Sequence, residues 1–238
     1  MSKEKEILMS DSEVATHVED TALVERRRAQ IVVAATELFA KNGFYRTTIK
    51  EIAKLAGISP GLVYLYVREK EDVLLLVLLQ VVEGYATEIP KATEGIDDPL
   101  LRLMQTVDAY CRVVDRHSAA TVLAYRSTKS LSIKRREIIQ NRELETNTIV
   151  VEAIEGCMNA GLIRRVNVDV LTYQLVLVAH GWALKSWYLR SRVSLDDYIA
   201  ASIENLLTGV MSDKGHGRFE ATLQRLKNNS ETGGANDV

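Results

Sequence analysis

The stretch Thr48-Ile49-Lys50-Glu51-Ile52-Ala53-Lys54-Leu55-Ala56-Gly57-Ile58-Ser59-Pro60-Gly61-Leu62-Val63-Tyr64-Leu65-Tyr66-Val67 decides the fold. Thr48 is a good helix N-cap. Glu51, three positions on, completes the pattern in which each side chain bonds the other residue's backbone. Ile49, Ile52, Ala53 and Ala56 then share one helical face. Gly57 ends that helix, because a residue without Cβ turns sharply at little cost. Only two residues later Ser59 caps another helix, with Pro60 in its first turn, where a missing N–H removes no bond. That helix buries Val63 and Val67. Two short helices joined by a tight glycine turn form a helix-turn-helix.

Outward from this core the pattern stays helical. Ile31, Ala35, Leu38 and Phe39 recur at helical spacing, predicting a helix over about 26–42 that Gly43 stops. Glu69 and Lys70 open a long helix through 73–89, which Pro90 is expected to break. After a loop at 95–99, helices are predicted at about 99–117, 118–129, 133–160, 168–190 and 195–211, with Gly161 as a stop and Ser194 as an N-cap. The chain has only three prolines and no strand-like alternation, so the expected fold is all-α.

Charge is unevenly placed. Residues 25–70 hold nine basic against four acidic side chains, whereas 1–24 hold two against six, and the remainder is net negative. A compact basic module on an acidic body is the footprint of phosphate binding. Cys111 and Cys157 lie in apolar patterns with no CxxC, and no secretory leader is evident, which predicts a reduced, cytoplasmic protein. The most apolar stretches are 73–82 and 170–184. The first is too short to span a membrane, and the second carries Thr172, Gln174 and His180, so both are predicted to be buried helices. There is no phosphate-binding glycine loop, HExxH or serine elbow. His17, His117, His180 and His216 are widely spaced, and no pair among them and the cysteines has chelating spacing. No enzyme, metal or cofactor is expected.

Gly43-Phe44-Tyr45-Arg46-Thr47-Thr48-Ile49 through Ile52-Ala53-Lys54-Leu55-Ala56-Gly57-Ile58-Ser59 resembles the tetracycline-repressor (TetR) family. So do Gly61-Leu62-Val63-Tyr64-Leu65-Tyr66-Val67 and Lys70-Glu71-Asp72-Val73-Leu74, and the match is dense over about 31–76. The resemblance implies an N-terminal three-helix helix-turn-helix domain, followed by a larger helical ligand-binding and dimerisation domain. The expected division is an acidic disordered arm at 1–24, a DNA-binding domain at 25–70, an effector and dimerisation domain at 71–212, and a mostly disordered tail at 213–238. A short helix near 219–226 fits within that tail.

The resemblance also implies residue roles. Thr48, Tyr66 and Lys70 would bond phosphates, and Tyr64 would meet sugar-phosphate or a base edge. Gly61 would admit close backbone approach. Ser59 and Pro60 start the recognition helix with its N–H groups aimed at DNA. Arg46 stands beside them. Leu62 replaces a frequent threonine and could pack on a thymine methyl. Arg26–Arg28 are either a solvated run or an arm to the backbone or minor groove.

The predicted helix at 168–190 is apolar on more than one side, which calls for cover by its own domain and by a second copy. With 195–211 it resembles the family's four-helix dimer interface, so that a homodimer would read a pseudo-palindromic operator in double-stranded DNA. The helices over 99–160 would enclose an effector cavity. Its candidate residues are Leu103, Val107, Tyr110, Val122, Tyr125, Arg126, Arg135, Asn141, His180 and Trp187, with Asn147 a further polar group. Between 126 and 142, six basic residues (Arg126, Lys129, Lys134, Arg135, Arg136, Arg142) face one acid, Glu137. That patch suits an anionic effector such as an acyl-CoA, which would release a repressor from DNA. The alternatives are a solvated helix face, a neutral aromatic or drug-like ligand, and a protein partner for the C-terminal domain.

Overall fold

The computed structural model describes Val14, Thr16 and residues 20–233, with side chains placed up to Leu223. Helices α1 (Thr21–Asn42), α2 (Ile49–Leu55) and α3 (Pro60–Tyr66) are followed by α4 (Lys70–Thr93), α5 (Pro99–Arg116) and α6 (Ser118–Ser127). Then come α7 (Ile133–Asn159), α8 (Val168–Leu184), the single turn α9 (Ser186–Leu189), α10 (Leu195–Leu207) and α11 (Asp213–Gly233). No strand occurs among the described residues. Only Ile163 and Met211 make an isolated antiparallel bridge. The all-α expectation holds.

Compact contacts group the residues up to Ala86 with Ala119–Glu143, and Thr87–Ser118 with the residues from Leu144 onward. This grouping divides the chain within α4 and within α7.

In the first unit α1, α2 and α3 pack on one another. Helix α1 begins at Thr21, before the predicted start near 26, because Asp20 accepts a hydrogen bond from the Leu23 N–H as N-cap. Residues 21–24 thus belong to a helix, while 1–13 of the expected arm lie outside the described residues. The helix buries Val24, Ile31, Val32, Ala35 and Phe39. At the α2–α3 turn Gly57 has φ 70, and Ile58 N–H bonds back to Ala53 O at 3.0 Å. This left-handed C-terminal cap closes α2 with no Cβ to strain. The side chains of Val73–Leu79 in α4 are all buried. By length and composition α4 could cross a membrane, but that burial is the mark of a core helix.

Pro90 does not end α4. The helix runs on to Thr93, whose buried hydroxyl donates to Ile89 O at 3.0 Å and closes the last turn. So near the C-terminal end the missing proline N–H costs little.

In the second unit α5 packs chiefly on α8, and α10 on α5, α8 and α11. Asp98 caps α5, and Asn167 and Ser194 cap α8 and α10. The expected disordered tail is instead helical over Asp213–Gly233, with Phe219 and Leu223 buried. Ser212 Oγ donates to Gly161 O and Lys214 Nζ to Ala160 O, both at 2.7 Å. Gly215 lies directly against the backbone, where an added Cβ would come within 2.0 Å of Leu162 O.

Candidate functional site

The helix-turn-helix face follows from which residues α2 and α3 bury. Helix α3 puts Val63, Tyr66 and the following Val67 inward, at i, i+3 and i+4. That leaves Pro60, Gly61 and Leu65 exposed and Tyr64 48% exposed. Arg46, Lys50 and Lys54 are exposed on the preceding loop and α2. Leu62 is half-buried. Ser59 accepts the Leu62 N–H at 3.2 Å as N-cap, with Pro60 in the first turn as predicted. An added Cβ at Gly61 would meet nothing within 4 Å, so the backbone there is open to a ligand.

Thr48 forms the predicted reciprocal cap. Its Oγ1 accepts from the Glu51 N–H at 3.2 Å, and its own N–H and hydroxyl donate to the Glu51 carboxylate at 2.8 Å each. These bonds hold the Glu51 carboxyl below the usual carboxylate range. The hydroxyl proton is thereby committed within the cap.

Two expected phosphate contacts sit elsewhere. Tyr66 is only 2% exposed, so its ring belongs to the core. The i, i+3 spacing from Val63 is the signal that would have assigned it there. Lys70 donates to Phe44 O, Tyr45 O and Thr47 O at 2.8, 3.2 and 2.8 Å, and lies 4.5 Å from the Phe44 ring centroid. An ammonium has three N–H donors, and all three are used on the loop that leads into α2. Tyr45, 80% exposed and accepting from Ser130 Oγ at 3.0 Å, was not singled out by sequence.

The expected effector residues divide among different surroundings. On α5, Leu103, Val107 and Tyr110 are buried, and the Tyr110 ring meets that of His180 of α8 at a tilt, with centroids 5.8 Å apart. Burial holds the His180 imidazole down to about 4, so it is neutral near pH 7. Asn147 on α7 is 4% exposed, and neither of its amide atoms has a hydrogen-bond partner among the described residues. On α6, Val122 is half-buried while Tyr125 and Arg126 are exposed, and Asn141 of α7 is exposed too. Trp187 is 77% exposed, a surface side chain rather than the expected cavity wall.

Arg135 is also redirected. Its guanidinium pairs with Asp72 (Nε, 3.1 Å), Glu71 (Nη1, 3.1 Å) and Glu69 (Nη2, 2.6 Å). It ties the first turn of α7 to the start of α4 and is not available to phosphates. Sequence counting saw a basic patch because these acids lie more than sixty residues upstream.

A capped, glycine-turned helix pair presenting basic and aromatic side chains defines a helix-turn-helix DNA-binding protein. Residues 31–77 match the family model for bacterial regulatory proteins of the tetR family, and 97–210 match the model described as tetracyclin repressor-like, C-terminal domain. The chain is 46% identical over 208 residues to the HTH-type transcriptional regulator HbdR of Aromatoleum sp. (strain CIB), spanning 87% of this chain and 91% of HbdR. It belongs to the TetR family and is a DNA-binding transcriptional regulator. A bacterial regulatory protein of that family from Rhodococcus RHA1 shares the fold at a TM-score of 0.71 and 25% identity, covering 79% of this chain and 99% of its own. AibR, solved in complex with isovaleryl coenzyme A and operator DNA, shares it at 0.65 and 20%, covering 75% and 96%.

Proposed function

We propose that the protein is a homodimeric cytoplasmic repressor that binds a pseudo-palindromic operator and is released from it by an acyl-CoA. DNA contact is assigned to Arg46, Ser59, Pro60, Gly61, Leu62 and Tyr64, with Thr48 capping α2 and with Tyr66 and Lys70 holding that face in shape from behind. The exposed apolar stripe of α8 supports the dimer. Val170, Tyr173 and Leu177 are exposed at i, i+3 and i+7, a face that a second copy would cover.

Asn147 carries the case for an effector. A buried amide with no partner costs about 1–3 kcal/mol for each orphaned group, which a polar ligand atom would recover. Leu103 and Val107 offer apolar surface to an acyl group, and Tyr110 and His180 a polar end. Within the basic run at 126–142, Arg126, Lys129 and Lys134 are exposed cations able to meet phosphates, whereas Arg135 is paired with carboxylates. AibR, of the same fold, was solved with both an acyl-CoA and operator DNA, which supports the pairing of ligand and DNA. A neutral aromatic effector is the second reading, favoured by the uncharged His180 beside Tyr110.

The test is a gel shift on an operator duplex with a panel of acyl-CoAs, free CoA, the free acids and uncharged aromatics. Release by a thioester and not by its free acid is expected, blunted by Arg126→Ala. Release by an uncharged aromatic alone would replace the acyl-CoA reading by the second one. A binding-competent ligand must favour the form that cannot fit the operator, since it shifts the equilibrium only by its differential affinity.

A further inference from the structure

Helix α3 has only seven residues, and a helix so short is marginal unless its ends are held. Its N-terminal end is held by Ser59. At its C-terminal end no glycine cap follows, because Val67 is extended with φ −145. The last carbonyls of such a helix have no partner inside it. Two of them are met from distant parts of the chain. Thr16 Oγ1 donates to Leu65 O at 3.0 Å, across 49 residues, and Arg28 Nε of α1 donates to Tyr66 O at 3.3 Å. The same guanidinium donates through Nη2 to Val14 O. Val14 is itself 2% exposed. Arg28 therefore fastens the arm and the helix end to each other.

We propose that Val14 and Thr16 of the N-terminal arm, clamped by Arg28, form the C-terminal cap of the recognition helix and set its position for operator binding. Charge argues against a direct phosphate role for this segment, since residues 1–24 hold six acidic side chains and only two basic ones. Near DNA such a segment is repelled unless it is anchored to the protein. Arg28 is a positioning residue on this account, because its donors face carbonyls of its own chain. The inference rests on α3 being the helix that reads DNA.

The experiment titrates full-length protein against an operator duplex and a random duplex over a range of salt, reading fluorescence anisotropy. The variants are Thr16→Val, Thr16→Ser, Arg28→Gln and Tyr64→Ala. Thr16→Val keeps the side-chain shape and removes the hydroxyl. It is expected to weaken operator binding about five-fold, the equivalent of one lost hydrogen bond. Thr16→Ser restores the affinity. Binding to the random duplex and the salt slope stay unchanged in Thr16→Val, and the slope stays unchanged in Arg28→Gln. If Thr16→Val binds operator like wild type while Tyr64→Ala does not, the cap proposal is wrong and the reading of α3 stands. If Arg28→Gln lowers the salt slope by about one and weakens both duplexes alike, Arg28 is a phosphate contact and the proposal falls. Wild-type operator binding by Tyr64→Ala would overturn the reading of α3, and the cap proposal with it.

Discussion

Lys70 Nζ donates to the backbone carbonyl of Thr47 at 2.8 Å, joining the first residue of α4 to the residue before the α2 cap. With its two other carbonyl bonds, this makes Lys70 a strut of the helix-turn-helix. Lys70→Met is expected to destabilise the fold by about 1–2 kcal/mol, because three carbonyls lose a charged donor. Operator affinity falls with it, but the salt slope of DNA binding stays at the wild-type value. A slope lowered by about one unit in a stably folded variant would return Lys70 to the phosphates.

Arg135 and Asp72 link α7 to the start of α4. The Asp72 side chain is 6% exposed and also accepts the Arg68 and Glu69 N–H groups at 2.9 and 3.2 Å. Arg135→Met leaves three carboxylates facing one another without their cation. The expected loss is roughly 2 kcal/mol in chemical denaturation, most of it from the unpaired Asp72. Binding of an acyl-CoA, measured by calorimetry, is expected to be unchanged. A selective loss of thioester affinity with intact stability would contradict this assignment.

His180 gives a pH dependence with a defined sign. Its imidazole titrates near 6.5 when unfolded and is held at about 4 in the fold by burial. Between those values the unfolded chain binds the extra proton, so stability falls as pH is lowered through that window. His180→Gln is expected to flatten the part of the stability-against-pH curve between pH 6.5 and 4 that wild type loses. Parallel curves for the two proteins would show that the ring is not desolvated.

Gly215 tests the docking of α11. A methyl group there would come within 2.0 Å of the Leu162 carbonyl, a backbone atom that cannot swing aside. Gly215→Ala is expected to lift the start of α11 and speed hydrogen exchange at its amides over 213–223, with α1–α3 unchanged. Wild-type exchange throughout α11 would mean that the helix does not rest on Leu162.

How far the sequence could be read depended on whether the deciding interactions were local. The Thr48–Glu51 cap, the Gly57 turn and the Ser59-Pro60 start all lie within a few residues of each other, and each was legible. Asp20 could have been seen as a cap, but the charged run at 25–28 hid the apolar face that Val24 begins. Of helix α11 only a short piece near 219–226 was expected, because its apolar residues, Phe219 and Leu223, are few and Gly215 and Gly217 lie in its first turns. Gly215 is there for close packing on Leu162, which only the fold reveals. Arg135 and Lys70 looked like free cations for the same reason. Their partners are carboxylates and carbonyls more than twenty residues away, and charge counting along the chain is blind to them.

On the proposed reading, two copies of the α2–α3 face bind one symmetric DNA site. The measurement for this is selection of bound duplexes from a random pool by the purified protein. The expected result is an enriched pseudo-palindrome, with half-sites about one helical turn or a whole multiple of it apart, bound by an even number of chains and lost in Tyr64→Ala. Enrichment of an asymmetric sequence bound by a single chain, or of no sequence at all, would contradict it.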